Sequence, residues 1–267
     1  MKNFVVGDVH GSYDKLMLAL ETAGFCDSDN LYFTGDICDR GTQNKEVMDF
    51  FLSLGDRFKG CFGNHDIWLY LWLNEETSYR INEVWMWNGG YTTVDSFKFL
   101  RDNDHWVDEE YRIKLLSLLG NLRYIWQYTP NIRVMHTSTY DYILEGASEF
   151  FNLDIFNTSL KEALDTGFIQ NRAYDEQVFD RNVLYSSNKI YGTDMEVNSF
   201  GKDKPLTIIG HTPLKEVTYC DDLNILCIDT AGFLKDGRIS VVDMGTFKCY
   251  DSDKKEFDLN LIEPSLS

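Results

Sequence analysis

The residues best suited to chemistry in this chain stand at the ends of short apolar runs. "FVVGDVHG" ends in Asp8 and His10, and "LYFTGDICDRG" ends in Asp36, Asp39 and Arg40. "KGCFGNHD" ends in Asn64 and His65, "IRVMH" in His136, and "LTIIGHTP" in His211. Four of the five histidines occupy such endings, and His105 is the remainder. Carboxylate, imidazole and amide oxygen together are ligands for borderline divalent metals rather than for a thiolate-type structural ion. So large a donor set exceeds one tetrahedral ion. It suits two ions sharing a bridging carboxylate, a clamp used for in-line displacement at phosphorus. Taken singly, each residue has an ordinary reading. Asp8 and Asp36 could cap helices, Asn64 could close an Asx-turn, His211 could sit in a turn, and Arg40 could pair with a surface carboxylate. Those readings need independent coincidences at five strand ends. Asp66 is read as structural.

The elements that must position these side chains follow from periodicity. Asn3–Val6, Leu31–Thr34 and Gly60–Phe62 read as strands. A helix capped by Ser12 carries Leu16, Leu20 and Ala23 on one face and stops at Gly24. A second helix, Asn44–Leu54, carries Val47, Met48, Phe51 and Leu54 and closes at Gly55. Strand and helix alternating with short loops imply parallel pairing, and in such sheets ligands gather beyond the carboxyl ends of the strands. Residues 67–128 hold all six tryptophans and read as mainly helical, either a packed subdomain or a roof over the site. "ILCIDTAG", "GRISVVDM" and "FKCY" read as an antiparallel segment. The expected organisation is a single domain over 1–267 with insertions at about 67–128 and 137–205.

Composition narrows the partners. The 267 residues carry a formal charge of −18, with 43% hydrophobic and 15% aromatic content, which fits a globular chain. That field repels nucleic acid and anionic membrane, so neither is expected as a partner. An acidic protein handling an anionic substrate needs local positive charge, which metal ions supply. The six cysteines form no CxxC pair, no secretory leader pattern precedes the first strand, and no apolar run is long enough to span a bilayer. Reduced thiols and a cytoplasmic location are therefore expected.

The ordered set "GDVHG" (7–11), "GDICDRG" (35–41), "GNHD" (63–66), His136 and "GHTP" (210–213) resembles the phosphoprotein phosphatase branch of the calcineurin-like metallophosphatases, closest to bacterial and phage-type Ser/Thr phosphatases. "WMWNGGYTTVDSF" (85–97) also resembles a segment of the bacterial members. The resemblance implies an α/β fold: a β-sandwich core flanked by helices, in four αββα layers, with an inserted helical subdomain. It implies that Asp8, His10 and Asp36 bind one metal, and that Asp36 bridges to a second completed by Asn64, His136 and His211. The expected cofactors are two divalent ions, Mn²⁺ foremost, with Zn²⁺ or Fe as alternatives. A hydroxide held between them would attack phosphorus directly. Arg40 would hold the phosphoryl oxygens, and His65, oriented by Asp39, would protonate the departing alkoxide.

Two features depart from the family pattern. Thr137 and Ser138 follow His136 where Ala-Gly is usual. Tyr185 and Ser187 occupy a stretch where a second phosphate-binding arginine is usual, leaving Arg172, Arg181 or Lys189 as replacements, with Arg181 or Lys189 favoured. The expected function is a dimetal phosphomonoesterase acting on phosphoserine or phosphothreonine in proteins, and on small phosphate esters. The alternative is a diadenosine polyphosphate hydrolase of the sister branch, which typically lacks the aspartate at position 39. A phosphodiesterase would carry a second histidine where Pro213 stands, and a binding module without catalysis would be expected to have lost a ligand or the acid.

Overall fold

The computed structural model describes residues 1–102, 105–137, 153–169, 201–259 and 261. Among them, two mixed sheets face one another, flanked by helices. Three strands near the start of the chain, β1 (Asn3–Val6), β2 (Asn30–Phe33) and β3 (Phe58–Gly60), pair in parallel in that order. Helix α1 (Tyr13–Ala23) and helix α2 (Asn44–Leu54) join them. The sheet is extended from β1 by three antiparallel strands, β11 (Ser240–Asp243), β12 (Lys248–Asp251) and β13 (Glu256–Asp258). Helix α3 (Asn64–Leu73) leaves directly from the end of β3. It opens an insertion containing α4 (Tyr79–Trp85), α5 (Tyr91–Ser96), the short strands β4 (Arg101–Asp102) and β5 (His105–Trp106), and α6 (Glu109–Gly120). The second sheet has the order β6 (Ile125–Thr129), β7 (Ile132–Met135), β8 (Leu206–Ile209), β10 (Ile225–Cys227) and β9 (Thr218–Cys220). A short helix, α7 (Leu160–Asp165), lies between β7 and β8 in the chain and packs on α6.

The two-residue alternation of a strand decides which side chains face which layer. Val5, Ile132, Val134, Leu206, Ile208, Leu226 and Val242 meet between the sheets. Their neighbours Phe4, Val6, Leu31 and Phe33 turn the other way, onto Leu16, Leu20, Val47, Met48 and Phe51 of the two helices. Each fully buried side chain of this size contributes about 1.5–3 kcal/mol. The sheets are therefore fixed face to face, and the carboxyl ends of β1, β2, β3, β7 and β8 keep their relation to one another.

Several local expectations are revised. Ser12 stands at the start of α1 but makes no capping bond; its hydroxyl turns back towards the carbonyl of His10. Gly24 does end the helix, in the left-handed region at φ 68°. Strand β3 lies two residues earlier than Gly60–Phe62, because the N–H of Phe62 is drawn to the carbonyl of Arg123 as the chain leaves the sheet. The 67–128 stretch is mainly helical, but residues 125–128 belong to β6 of the second sheet. The run 225–227 is antiparallel to β9 and parallel to β8, so it is not paired with 240–243. Apolar character alone does not tell a strand which of two sheets it joins. No disulfide links the six cysteines. No helix among the described residues is long and apolar enough to cross a membrane.

Asp29 ties the turn before β2 to the start of β1. Its carboxylate accepts the backbone N–H of Lys2 at 2.6 Å, and both the N–H and the thiol of Cys26 at 3.1 Å. Burial favours the neutral acid, but these bonds prevail and hold Asp29 below the usual carboxylate range. A depressed folded-state value means that this stabilisation is present above the unfolded value and is lost as pH falls through the folded one. Asp29→Asn is expected to cost about 1–2 kcal/mol at pH 7 in urea unfolding of chelated protein. The gap from wild type should narrow as pH falls below the usual carboxylate range.

Candidate metal centre

The polar strand endings converge on Asp36. Its Oδ2 lies 3.5 Å from Nε2 of His136, 3.6 Å from Nε2 of His10 and 3.9 Å from Nε2 of His65, while Oδ1 accepts the backbone N–H of His65 at 3.0 Å. Two compact donor groups result, His10–Asp36–His65 and Asp36–His136–His211, both buried and both containing Asp36. Burial alone would raise its pKa. The surrounding imidazoles of His136, His65, His10 and His211 outweigh that and hold Asp36 far below the usual carboxylate range.

The histidine tautomers follow from what the other ring nitrogen meets. Nδ1–H of His10 donates to the carbonyl of Cys38 at 2.7 Å, and Nδ1–H of His136 donates to the carbonyl of Thr34 at 3.1 Å. Each ring therefore presents an Nε2 lone pair inward, the arrangement that prepares an imidazole for a cation. Burial and the neighbouring His65 and Arg40 push the pKa of His10 well down, which keeps that lone pair available. Nδ1 of His211 stands 2.9 Å from Nε2 of His136.

The remaining two candidates flank these groups. Asp8 lies outside both; its Oδ2 accepts the N–H of His211 at 2.9 Å and its Oδ1 the hydroxyl of Thr34 at 3.1 Å. Burial first, then the carboxylates of Asp229 and Asp36, push the Asp8 pKa well up. Asn64 opens α3, and its Oδ1 is buried with no hydrogen-bond partner. Buried polar atoms are nearly always satisfied, so an orphaned amide oxygen beside a carboxylate–imidazole cluster is what a missing cation would leave. Crowded carboxylates, inward lone pairs and this orphan oxygen fit a pair of divalent cations.

The backbone carries strain to achieve this. Ten described residues other than glycine have positive φ, and five belong to the site: His10 (45°), Asp36 (64°), Asp39 (75°), Arg40 (64°) and His211 (65°). Such conformations cost free energy and persist only where the surroundings over-determine them. The neighbouring glycines leave no room for relaxation. A Cβ on Gly63 would fall on the Asp36 carboxylate, and one on Gly210 on that of Asp8.

Beside the centre, Nδ1–H of His65 donates to Oδ2 of Asp39 at 2.5 Å. Sequence reasoning paired these two, but it missed the side chains that hold Asp39. The indole N–H of Trp85 donates to its Oδ2 at 2.7 Å, and the hydroxyl of Thr93 to its Oδ1 at 2.5 Å. Trp85 is fully buried, so the insertion is at once a packed subdomain and the wall that holds the His65–Asp39 pair. Arg40 donates through Nη1 to Nε2 of His10 at 2.8 Å and through Nη2 to Nε2 of His65 at 3.1 Å. Asp66 accepts the backbone N–H groups of Asp36, Ile37 and Gly63. Asp229, also missed, ends the run 225–228 and would have been found by the same strand-end rule. Thr137 is buried beside His136. Ser138, Arg172, Arg181, Tyr185, Ser187 and Lys189 lie outside the described residues.

Because Asp36 belongs to both groups, Asp36→Ala is expected to abolish metal uptake at both positions. Metal analysis after Mn²⁺ loading and gel filtration should find well under one ion per chain, where wild type retains two. Trp85→Phe should leave metal content unchanged and lower kcat about tenfold, since only the hydrogen bond to Asp39 is removed.

Known proteins share this architecture. A family model described as "Calcineurin-like phosphoesterase" matches residues 1–244. Among curated proteins, a symmetrical bis(5'-nucleosyl)-tetraphosphatase from Buchnera aphidicola is 44% identical over 68 residues, 25% of this chain and 24% of that protein. Its counterpart from Psychromonas ingrahamii is 46% identical over 70 residues, 26% and 25% of the two chains. The chain thus spans about a quarter of the length of the curated relatives it matches. Among solved structures, a cold-active protein tyrosine phosphatase superposes with TM-score 0.58 at 16% identity, covering 96% of this chain and 78% of that one. A protein serine/threonine phosphatase from Saccharomyces cerevisiae gives 0.56 at 16%, covering 99% and 82%. A putative diadenosine tetraphosphatase gives 0.52 at 15%, covering 97% and 95%. At these identities the structures speak for the fold alone. With a family model matched over most of the chain and a carboxylate–imidazole centre of the corresponding kind, this protein belongs to the calcineurin-like phosphoesterases.

Proposed function

We propose that the protein is a dimetal phosphomonoesterase whose natural substrates include phosphoserine or phosphothreonine in proteins. The observation that carries the monoester reading is the His65–Asp39 pair. An alkoxide is a poor leaving group and needs a proton as the P–O bond breaks, whereas the phosphate released from an anhydride does not. A histidine whose Nδ1 is bound to a buried carboxylate is held in one orientation and one tautomer, placed to deliver that proton. Nδ1 is held by Asp39, which leaves Nε2 to carry the proton towards the leaving oxygen.

In this reading Asp8, His10, Asp36, Asn64, His136 and His211 hold two divalent ions, Mn²⁺ foremost. Bound there, the ions supply acidified water and neutralise phosphoryl charge. Arg40, whose Nη groups point into the centre between His10 and His65, presents its planar fork to the phosphoryl oxygens. The buried walls exclude bulk water, which strengthens these interactions.

A second substrate class has its own support. The curated relatives are named as bis(5'-nucleosyl)-tetraphosphatases, so among the comparisons their names favour a dinucleoside polyphosphate over a phosphoprotein. The matched segment covers only about a quarter of those proteins, and Asp39 with its indole and hydroxyl partners favours the monoester.

Leaving-group chemistry separates the two. His65→Asn is expected to keep both metals and to lower kcat on a phosphoserine peptide about 10²–10⁴-fold. On p-nitrophenyl phosphate, whose leaving group needs little help, the loss should be much smaller. Wild type assayed in parallel on the peptide and on diadenosine tetraphosphate under defined Mn²⁺ decides the substrate. A clear preference for the dinucleotide, together with indifference of that activity to His65→Asn, would overturn the monoester assignment.

A further inference from the structure

Lys15, on α1, spends its whole hydrogen-bonding capacity on one loop. Its ammonium donates to the carbonyls of Gly232 at 2.9 Å, Leu234 at 2.6 Å and Gly237 at 2.7 Å. An ammonium has three donors, and here each meets a backbone oxygen. The loop is closed at its base by reciprocal bonds: the N–H of Arg238 to the carbonyl of Thr230, and the Thr230 hydroxyl to the carbonyl of Arg238, both at 2.8 Å. Within it Leu234 bonds back to Ala231, and Gly237 back to Leu234. Ala231 is held at φ 57°, and a Cβ on Gly237 would fall on the Ala231 carbonyl. A loop so constrained can place a side chain, not merely connect two strands.

The side chain it places is Phe233. The guanidinium carbon of Arg40 lies 4.6 Å from the centre of its ring, and the His10 ring meets it edge-on at 5.3 Å. Stacking on an aromatic face engages the plane of a guanidinium and leaves its in-plane N–H groups free to donate. Those N–H groups are the ones aimed at Nε2 of His10 and of His65. The backbone of Arg40 is fixed from the insertion side, its N–H donating to the carbonyl of Gly89 at 3.3 Å. The far end of the side chain meets Phe233.

We propose that Phe233 is the positioning residue for Arg40. The ring sets the plane in which the guanidinium presents its fork, and Lys15 sets the ring by stapling the loop that carries it. The inference rests on the reading of Arg40 as the phosphoryl clamp.

The test uses Mn²⁺-loaded full-length protein, with p-nitrophenyl phosphate kinetics and calorimetric binding of inorganic phosphate. Arg40→Ala probes the clamp itself; unchanged KM and unchanged phosphate affinity would remove that foundation. With the clamp established, Phe233→Leu, which keeps bulk but has no π face, should raise KM and weaken phosphate binding about five- to tenfold, with a smaller change in kcat. Phe233→Tyr should restore both. In an Arg40→Ala background, Phe233→Leu should add nothing, as coupled residues require. Lys15→Met should reproduce part of the KM effect and add little to Phe233→Leu. Full additivity of Phe233→Leu with Arg40→Ala, or phosphate affinity untouched by Phe233→Leu while Arg40→Ala weakens it, would overturn the proposal and leave the clamp standing. Should Lys15→Met fail to fold, the Phe233–Arg40 cycle decides alone.

Discussion

Two strand-end turns are bound together by a single buried side chain, Asp66, and the centre is assembled on those turns. Asp66 takes the N–H groups of Asp36 and Ile37 from the turn after β2, and that of Gly63 from the turn after β3. The side chain lies in the first turn of α3, where the orientation of the helix also favours negative charge. Burial, reinforced by the charge of Asp36, pushes its pKa up to about 8, against the pull of its three donors. Fixing these two turns fixes Asp36, Asn64 and His65 together, since all three lie within two residues of the bonded amides.

The same economy governs the electrostatics. The chain as a whole is strongly acidic, and in the centre Asp8, Asp36 and Asp229 are crowded in a water-poor pocket. Like charges so placed disfavour one another's ionisation, as the raised Asp8 value expresses. The His211 N–H and the Thr34 hydroxyl offset this at Asp8, and the surrounding imidazoles do so at Asp36. Cations held by these residues would reverse the local logic of ionisation, each carboxylate then being drawn to the shared positive charge.

Much of this was legible in the primary structure, because a strand that ends in a polar residue after glycine leaves a local signature. Asp8, Asp36, Asn64 and His211 each follow such a glycine, His10 and His65 stand in the same turns, and His136 closes an apolar run without one; the parallel β1–β2–β3 unit follows from the helices between its strands. Asp229 closes its run in the same manner, but that run also carries the pattern of an antiparallel segment, which masks how it ends. Trp85 and Thr93 carry no local sign of their role. Their bonds to Asp39 span 46 and 54 residues, and an indole that packs looks the same in sequence whether or not its N–H is used. Phe233 is equally silent, since its position depends on a lysine more than two hundred residues away. Long-range polar contacts are set by tertiary packing, which periodicity does not encode.

Among the described residues the helical insertion touches the centre at several points: the Trp85 and Thr93 bonds to Asp39, the carbonyl of Gly89 on Arg40, and the Trp68 ring edge-on to His65 at 4.7 Å. Gly89 sits in a wound-out turn at φ 103°, between α4 and α5, and those helices are short. Short helices at a periphery open at lower free energy than a sheet buried between layers. Warming or a mild denaturant would slacken this canopy first, loosening its hold on Asp39 and Arg40 while the sandwich beneath still reads as intact by circular dichroism.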